Sequence, residues 1–336
     1  MSTIRQAAGE THTGKKRRRN EDSFVVDPPL FAVADGMGGA QAGELASNLA
    51  ATALREDDAG GGGERHLVEL IQEANRRVYE RSSADAAVSG MGTTITAALV
   101  EDGVVAFGHV GDSRAYLIRD NALEQLTDDH SLVAELVRSG KLSPEEADSH
   151  PQRSAITRAL GTDPDVDVDT FSIPAQADDL FMLCSDGLTS MVDDDRILRE
   201  VEHHRDDVAA AAKALVRAAN RGGGEDNITV VFFEIGEVNE EPLEQTARYP
   251  VLEAEHDVPA DDEETLDEAD RVPAVNTMVL SPEQARKIAD AAEANAPPPP
   301  PPPPAAKRTG PQLLPFIVLL VVLLAVVALV FWTIRR

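Results

Sequence analysis

Apolar residues fall along this chain in two rhythms. Continuous runs of β-branched and apolar residues, Thr94–Val100, Val104–Val110, Ala115–Arg119, Leu180–Cys184 and Ile228–Ile235, have the length and composition of strands. Between them, Ala42–Arg55, Arg65–Ser82, Leu132–Ser139 and Asp207–Asn220 carry apolar residues at three- and four-residue spacing, the stripe of an amphipathic helix. Glycine runs at Gly60–Gly63 and Gly222–Gly224 punctuate the helix ends. The two strand-like runs flanking Gly111-Asp112 read as a hairpin, which argues for antiparallel pairing over a doubly wound parallel sheet. The pattern predicts one α+β domain over residues 1–236.

Both rhythms stop after Gly236. Glu237–Asp270 holds 14 acidic residues and one arginine, the composition of an acidic linker without a packed core. Pro282–Ala294 is the one stretch of the linker with a short helical pattern. Thr277 and Ser281 precede it as candidate phosphorylation sites, although a linker Thr is more often simply solvated. The eight residues Pro297–Pro304 form a polyproline spacer of about 25 Å, or a ligand for a proline-binding partner; the spacer is the preferred reading. Leu313–Ile334 then runs 22 residues without a formal charge, enough to cross a hydrocarbon core of ~30 Å. Trp332 and Arg335-Arg336 lie at one end of it and Lys307-Arg308 beyond the other, a balance that sets no orientation. The expected organisation is therefore a domain at 1–236, an acidic and proline-rich linker at 237–312 and a transmembrane helix at 313–334. Ile4–Arg19 is polar and basic and shows no secretory signal, so the domain is expected in the cytoplasm of a single-pass cell-membrane protein.

Charge narrows the function classes. The chain carries a net −28, which argues against nucleic acid as a partner because phosphate backbones repel such a surface. Residues 1–236 hold 42 acidic and 23 basic side chains, and residues 237–336 hold 17 and 8. General solubility explains most of that acidity. The single cysteine, Cys184, excludes an internal disulfide and fits a reducing compartment. Six residues on stands Ser190 rather than an arginine, so the arrangement of thiol-based phosphatases is missing and Cys184 reads as a small buried hydrophobe.

Four short motifs carry candidate chemistry: Arg17-Arg18-Arg19-Asn20-Glu21-Asp22, Asp35-Gly36-Met37-Gly38-Gly39, Ser185-Asp186-Gly187 and Glu225-Asp226-Asn227. Asp35 and Asp186 follow strand-like runs and Asp226 precedes one. Carboxylates at strand ends with glycine beside them suit a hard cation, because oxygen ligands and close backbone approach come together there. Any one of them alone could be an ordinary Asp-Gly turn.

In this order, and together with Met91-Gly92-Thr93-Thr94, Gly108-His109-Val110-Gly111-Asp112-Ser113-Arg114 and His150-Pro151-Gln152-Arg153-Ser154, the motifs resemble those of metal-dependent type 2C (PPM) protein phosphatases in their bacterial form, from about Gly9 to Ile235. The resemblance implies a four-layer α-β-β-α sandwich of two antiparallel sheets. It also implies hydrolysis of phosphoserine and phosphothreonine in proteins by in-line attack of a water activated by two metal ions. Asp35 would bridge the ions, with the Gly36 carbonyl on the second; Asp186 and Asp226 would complete the first, and Glu21 would stand near the second. Asp22 would orient metal-bound water. Arg17 would bind the phosphate, leaving Lys15, Lys16, Arg18 and Arg19 to the surface. Asp112 and Ser154 would contribute to a third ion, although Asp112 serves equally as a turn residue. Two to three Mn²⁺ or Mg²⁺ suit these all-oxygen ligands.

The chain departs from some relatives in one respect: Met37 stands where they place a histidine able to protonate the leaving group. His109 is an alternative acid, yet a strand histidine is more often packed or hydrogen-bonded. His130 and His150 read as structural or flap residues. Leu142–Arg153 resembles a mobile flap over the site. The expected partners are phosphorylated proteins, namely Ser/Thr kinases and their substrates, and the membrane through the C-terminal helix. The alternative is a membrane-tethered phosphoprotein-binding module with weak catalysis, which the intact Asp35, Asp186 and Asp226 disfavour.

Overall fold

The computed structural model describes residues 2–38, 42–56, 62–148, 150–238 and 278–279. In chain order these form β1 (Ile4–His12), β2 (Asp22–Asp27), β3 (Leu30–Met37), α1 (Ala42–Arg55), α2 (Gly63–Ala84), β4 (Gly92–Thr93), β5 (Ile95–Glu101), β6 (Val104–Val110), β7 (Arg114–Arg119) and β8 (Ala122–Gln125). There follow α3 (Leu132–Arg138), α4 (Pro144–Asp148), β9 (Ala155–Ile156), β10 (Asp169–Pro174), β11 (Leu180–Cys184), α5 (Asp186–Thr189), α6 (Asp194–His203), α7 (Val208–Gly222), β12 (Ile228–Ile235) and β13 (Met278–Val279).

Two antiparallel sheets, ordered β1-β12-β11-β7-β8 and β10-β6-β5-β3-β2, make up the centre. Their strands are apolar on both faces because both faces are covered. In β12, Ile228, Val230 and Phe232 pack with Val208, Ala212 and Leu215 of α7, while the alternate residues Val231 and Phe233 enter the inter-sheet layer. β3 does the same on the other side: Ala32 and Ala34 meet Leu54 of α1 and Ile71 of α2, and Phe31 and Val33 turn inward. Phe31 stacks on Phe233 at a centroid distance of 4.3 Å, joining the sheets. The expected four-layer α-β-β-α arrangement is thus the one found.

The hairpin expected at Gly111-Asp112 does not form. β6 and β7 lie in different sheets, and Gly111, at φ +116, passes the chain from one to the other. Strands β1, β2, β4, β8, β9, β10 and β13 lie outside the strand-like runs read from the sequence. β1 is largely half-buried, with alanine and glycine where strands usually carry branched residues, and its long pairing with β12 holds it. Within the expected flap, Pro144–Asp148 forms the short helix α4.

The domain continues to Val238, where Thr3 and Glu237 exchange hydrogen bonds. Among the described residues no helix is long and apolar enough to cross a membrane. The expected span at 313–334 and the helix at Pro282–Ala294 lie outside those residues, as does most of the 237–312 linker. Within the expected linker, the two described residues Met278–Val279 pair in parallel with β9.

Candidate active site and cation centre

Strand register brings the distant motifs to one end of the sandwich. Asp22 opens β2 and pairs with Asp35 near the end of β3. Asp186 follows β11 at the start of α5, and Asp226 stands two residues before β12, the neighbour of β11. The glycines beside the aspartates are required by close backbone approach. A Cβ on Gly36 would lie 2.0 Å from the Gly43 carbonyl oxygen, and one on Gly187 would lie 1.9 Å from that of Asn227.

A hydrogen-bonded frame holds these loops. The Asn227 side chain accepts from the Glu21 N–H at 2.7 Å and donates to the carbonyls of Thr13 and Arg19, both at 2.9 Å, so it ties the arginine-rich segment to Asp226. The Asp35 N–H donates to the Thr94 hydroxyl, and the Asp35 carbonyl accepts from Thr93 Oγ1 and the Thr94 N–H. Ser185 and Thr229 donate their hydroxyls to Asp22 Oδ2 at 2.9 and 2.5 Å. Asn227, Ser185 and Thr229 had no role assigned from sequence. Asn227 lay inside a quoted motif, but its partners sit more than 200 residues away.

Five aspartates, Asp22, Asp35, Asp112, Asp186 and Asp226, feel one another's charge. Burial, reinforced by these neighbours, pushes the Asp35 and Asp112 carboxyls well above the usual carboxylate range. Burial likewise raises Asp22 to about 7 against its two hydroxyl donors, and Asp186 to about 6. The raised carboxyls hold protons that offset part of the cluster's charge, although Arg17 and Asp35 restrain the rise at Asp186. Arg17 offsets another part: its guanidinium donates to Asp226 Oδ2 at 2.7 Å and lies 3.8 Å from Glu21. Burial works against the Arg17 charge, but attraction to Asp226 outweighs it and raises its pKa. Glu21 is pushed up by burial despite Arg17.

The structure places the eight expected site residues at this end of the sandwich in two groups. Arg17, Glu21, Asp35, Gly36, Asp186 and Asp226 form the centre. Asp112 and Ser154 line, with Asp186, an adjoining groove of about 820 Å³. Among the described residues no three His, Cys, Asp or Glu side chains close on one point as a finished coordination shell. Their chemistry nevertheless fits a hard cation. Asp22 Oδ1 and Asp186 Oδ1 are buried carboxylate oxygens with no hydrogen-bond partner, and the surrounding donors are oxygens.

The histidines stand apart from this chemistry. His109 is buried, with Nδ1 against the Thr96 hydroxyl and Nε2 against the Asp128 carbonyl, and burial followed by the charge of His130 lowers it to about 3. His130 accepts from the Gly111 N–H and faces Asp169 at 3.1 Å. His150 Nδ1 accepts from the Gln152 N–H within the flap. Met37 is buried against Ile156 and Ala159. Cys184 is buried in the core, which pushes its thiol up to about 12.

Comparison with known proteins agrees with this arrangement. The model of the family described as Protein phosphatase 2C matches residues 4–228. The serine/threonine phosphatase stp of Listeria monocytogenes is 41% identical over 236 residues, covering 67% of this chain and 93% of its own. The serine/threonine protein phosphatase PstP of Mycobacterium tuberculosis is 40% identical over 238 residues, covering 70% of this chain and 46% of its own. A crystal structure of the Mycobacterium tuberculosis phosphatase PstP/Ppp superposes with a TM-score of 0.66 at 40% identity, covering 70% of this chain and all of that one. A PstP catalytic domain in complex with two manganese ions superposes with a TM-score of 0.64 at 38% identity, covering 70% of this chain and 99% of that one.

Proposed function

The chain belongs to the protein phosphatase 2C family, and from that premise we propose how this metal-dependent serine/threonine protein phosphatase uses its residues. Asp35, the Gly36 carbonyl, Asp186 and Asp226 would hold two Mn²⁺ or Mg²⁺ ions, with Glu21 and Asp22 contributing from beside them. Asp112 and Ser154 serve a third. The observation that carries this reading is the pair of buried, unpartnered oxygens on Asp22 and Asp186 within one carboxylate cluster. When bound, the ions supply positive charge that acidifies water and offsets the phosphoryl oxygens.

The remaining work falls to the chain itself. Arg17 presents a planar fork suited to two phosphate oxygens, and its hold on Asp226 keeps it at the mouth of the cluster. From that position the Arg17 guanidinium would bind the ester's phosphate oxygens and orient it for attack. Neither the buried Met37 nor the fully bonded His109 can protonate the leaving alkoxide, so that proton comes from solvent admitted by the open groove. Arg138, Arg153, Asp128 and Asp193 line the groove, and this mixed-charge surface suits a peptide around the phosphoresidue better than a small ester alone.

The span at 313–334 then anchors the enzyme in the cell membrane with its domain in the cytoplasm. This would concentrate it near membrane kinases and their phosphorylated substrates. Support for the anchor comes from the uncharged 22-residue run and its flanking Lys and Arg. Carbonate extraction of the full chain tests it: retention in the membrane pellet is expected, and release would remove the anchor. For the chemistry, the test is hydrolysis of a phosphothreonine peptide with Mn²⁺, with EDTA and with Asp35→Asn. Turnover is expected only from the unaltered protein with Mn²⁺; equal turnover in EDTA would overturn the reading.

A further inference from the structure

The acidic linker contains the apolar run Met278-Val279-Leu280, and its first two residues form the strand β13. It pairs in parallel with β9 in the register Met278↔Ala155 and Val279↔Ile156. Among the described residues, β9 makes one further pairing, the isolated antiparallel bridge Ser131↔Ile156. β9 is thus a two-residue edge, and an extended segment can dock on it through main-chain hydrogen bonds.

The location of that edge gives the docking its consequence. β9 directly follows the flap, and the residues just before it, Arg153 and Ser154, line the same groove as Asp112 and Asp186. Ile156 is buried against Met37, two residues past Asp35. A strand on β9 therefore lies beside the groove in which a substrate peptide must present its phosphoresidue. We propose that the β9 edge is a docking site for the chain's own segment around Met278–Val279, and that this tethered strand competes with phosphopeptides for the approach to the active site.

The energetics favour an intramolecular occupant. A two-residue pairing is weak between free molecules. Here the 39 residues 239–277 join it to the end of the domain, a tether with an r.m.s. span of roughly 35 Å. Such a tether supplies an effective concentration on the order of millimolar, sufficient to populate a weak contact and to let a good substrate displace it.

The experiment uses the full-length chain with Val279→Pro, which removes a main-chain donor, and separately the pair Met278→Gly with Val279→Gly. Amide exchange across residues 153–158 is followed by mass spectrometry. kcat/KM is measured with Mn²⁺ on a phosphothreonine peptide and on p-nitrophenyl phosphate. Both variants are expected to exchange faster at Ile156, because the N–H groups of Ala155 and Thr157 donate to the carbonyls of Gln152 and His130 instead. Their kcat/KM on the peptide should rise about three- to tenfold, with the small ester unchanged. A synthetic peptide of residues 274–283 at millimolar concentration should reverse the gain. Unchanged exchange overturns the docking, and faster exchange with unchanged peptide kinetics overturns the competition. The kinetic arm rests on the phosphatase reading. An unaltered chain inert on both substrates would strike that reading instead and leave the exchange arm to decide the docking.

Discussion

Asp22→Asn should make the metal-free protein more resistant to alkaline pH. Burial raises Asp22 from 3.8 to about 7 in the folded chain. The folded state therefore binds a proton that the unfolded state has released. The associated stability is complete below pH 3.8 and is lost as pH climbs through about 7. Holding that proton from pH 3.8 up to about 7 is worth a total of about 4 kcal/mol, of which about 2–3 kcal/mol is lost between pH 5 and pH 8.5. Asparagine cannot ionise and escapes that loss. Its amide oxygen can still accept from Ser185 and Thr229, while its NH₂ occupies the place of the unpartnered Oδ1, at a cost of about 1–3 kcal/mol at every pH. Thermal unfolding in EDTA should thus show wild type losing stability faster than the variant. Its Tm should drop by about 5–10 °C more between pH 5 and pH 8.5, at roughly 2–4 °C per kcal/mol for a domain of this size. Mn²⁺ should narrow the gap by offsetting the carboxylate charge. Parallel Tm–pH curves for the two proteins in EDTA would refute the reasoning.

Three further outcomes follow from the packing and the site. Gly187→Ala forces a Cβ against the Asn227 carbonyl oxygen, 1.9 Å away. It should cost about 2 kcal/mol in urea unfolding and weaken Mn²⁺ binding. Phe233→Ala removes the ring stacked on Phe31 and Phe181 between the sheets, and should cost about 3–5 kcal/mol in the same assay with Mn²⁺ affinity unchanged in the surviving folded fraction. Arg17→Ala should lower kcat/KM on a phosphopeptide about a hundredfold, near the worth of two charged hydrogen bonds. Because the same change frees Asp226, calorimetric Mn²⁺ affinity should hold or tighten; a weakened affinity would contradict the placement of Arg17.

What could be read from sequence follows the physics of burial. β6, β11 and β12 were visible to the residue because both their faces are covered, which leaves unbroken apolar runs. α1 and α7 were visible because one face of each packs on a sheet. β1 was not, since its alanines and glycine become a strand only against β12. α6 escaped because its ten residues are mostly charged and bury only Ile197 and Val201. The transfer of the chain between sheets at Gly111 is equally non-local, and local alternation cannot distinguish it from a hairpin. At the site, Asp35, Asp186 and Asp226 were legible as motifs. The frame that aligns them was not, because Asn227 and Thr229 reach partners in the first 22 residues through strand pairing alone. The β13 strand was the same kind of omission: two apolar residues in an acidic linker acquire meaning only beside β9.

The central claim is that Asp35, Asp186 and Asp226 form one two-cation centre. Anomalous scattering from crystals of the protein grown with Mn²⁺ tests it most directly. Two strong manganese peaks about 3.5–4 Å apart, both in contact with Asp35 and one also with Asp186 and Asp226, are the predicted result. Manganese absent from this cluster, or bound without Asp35, would contradict the account.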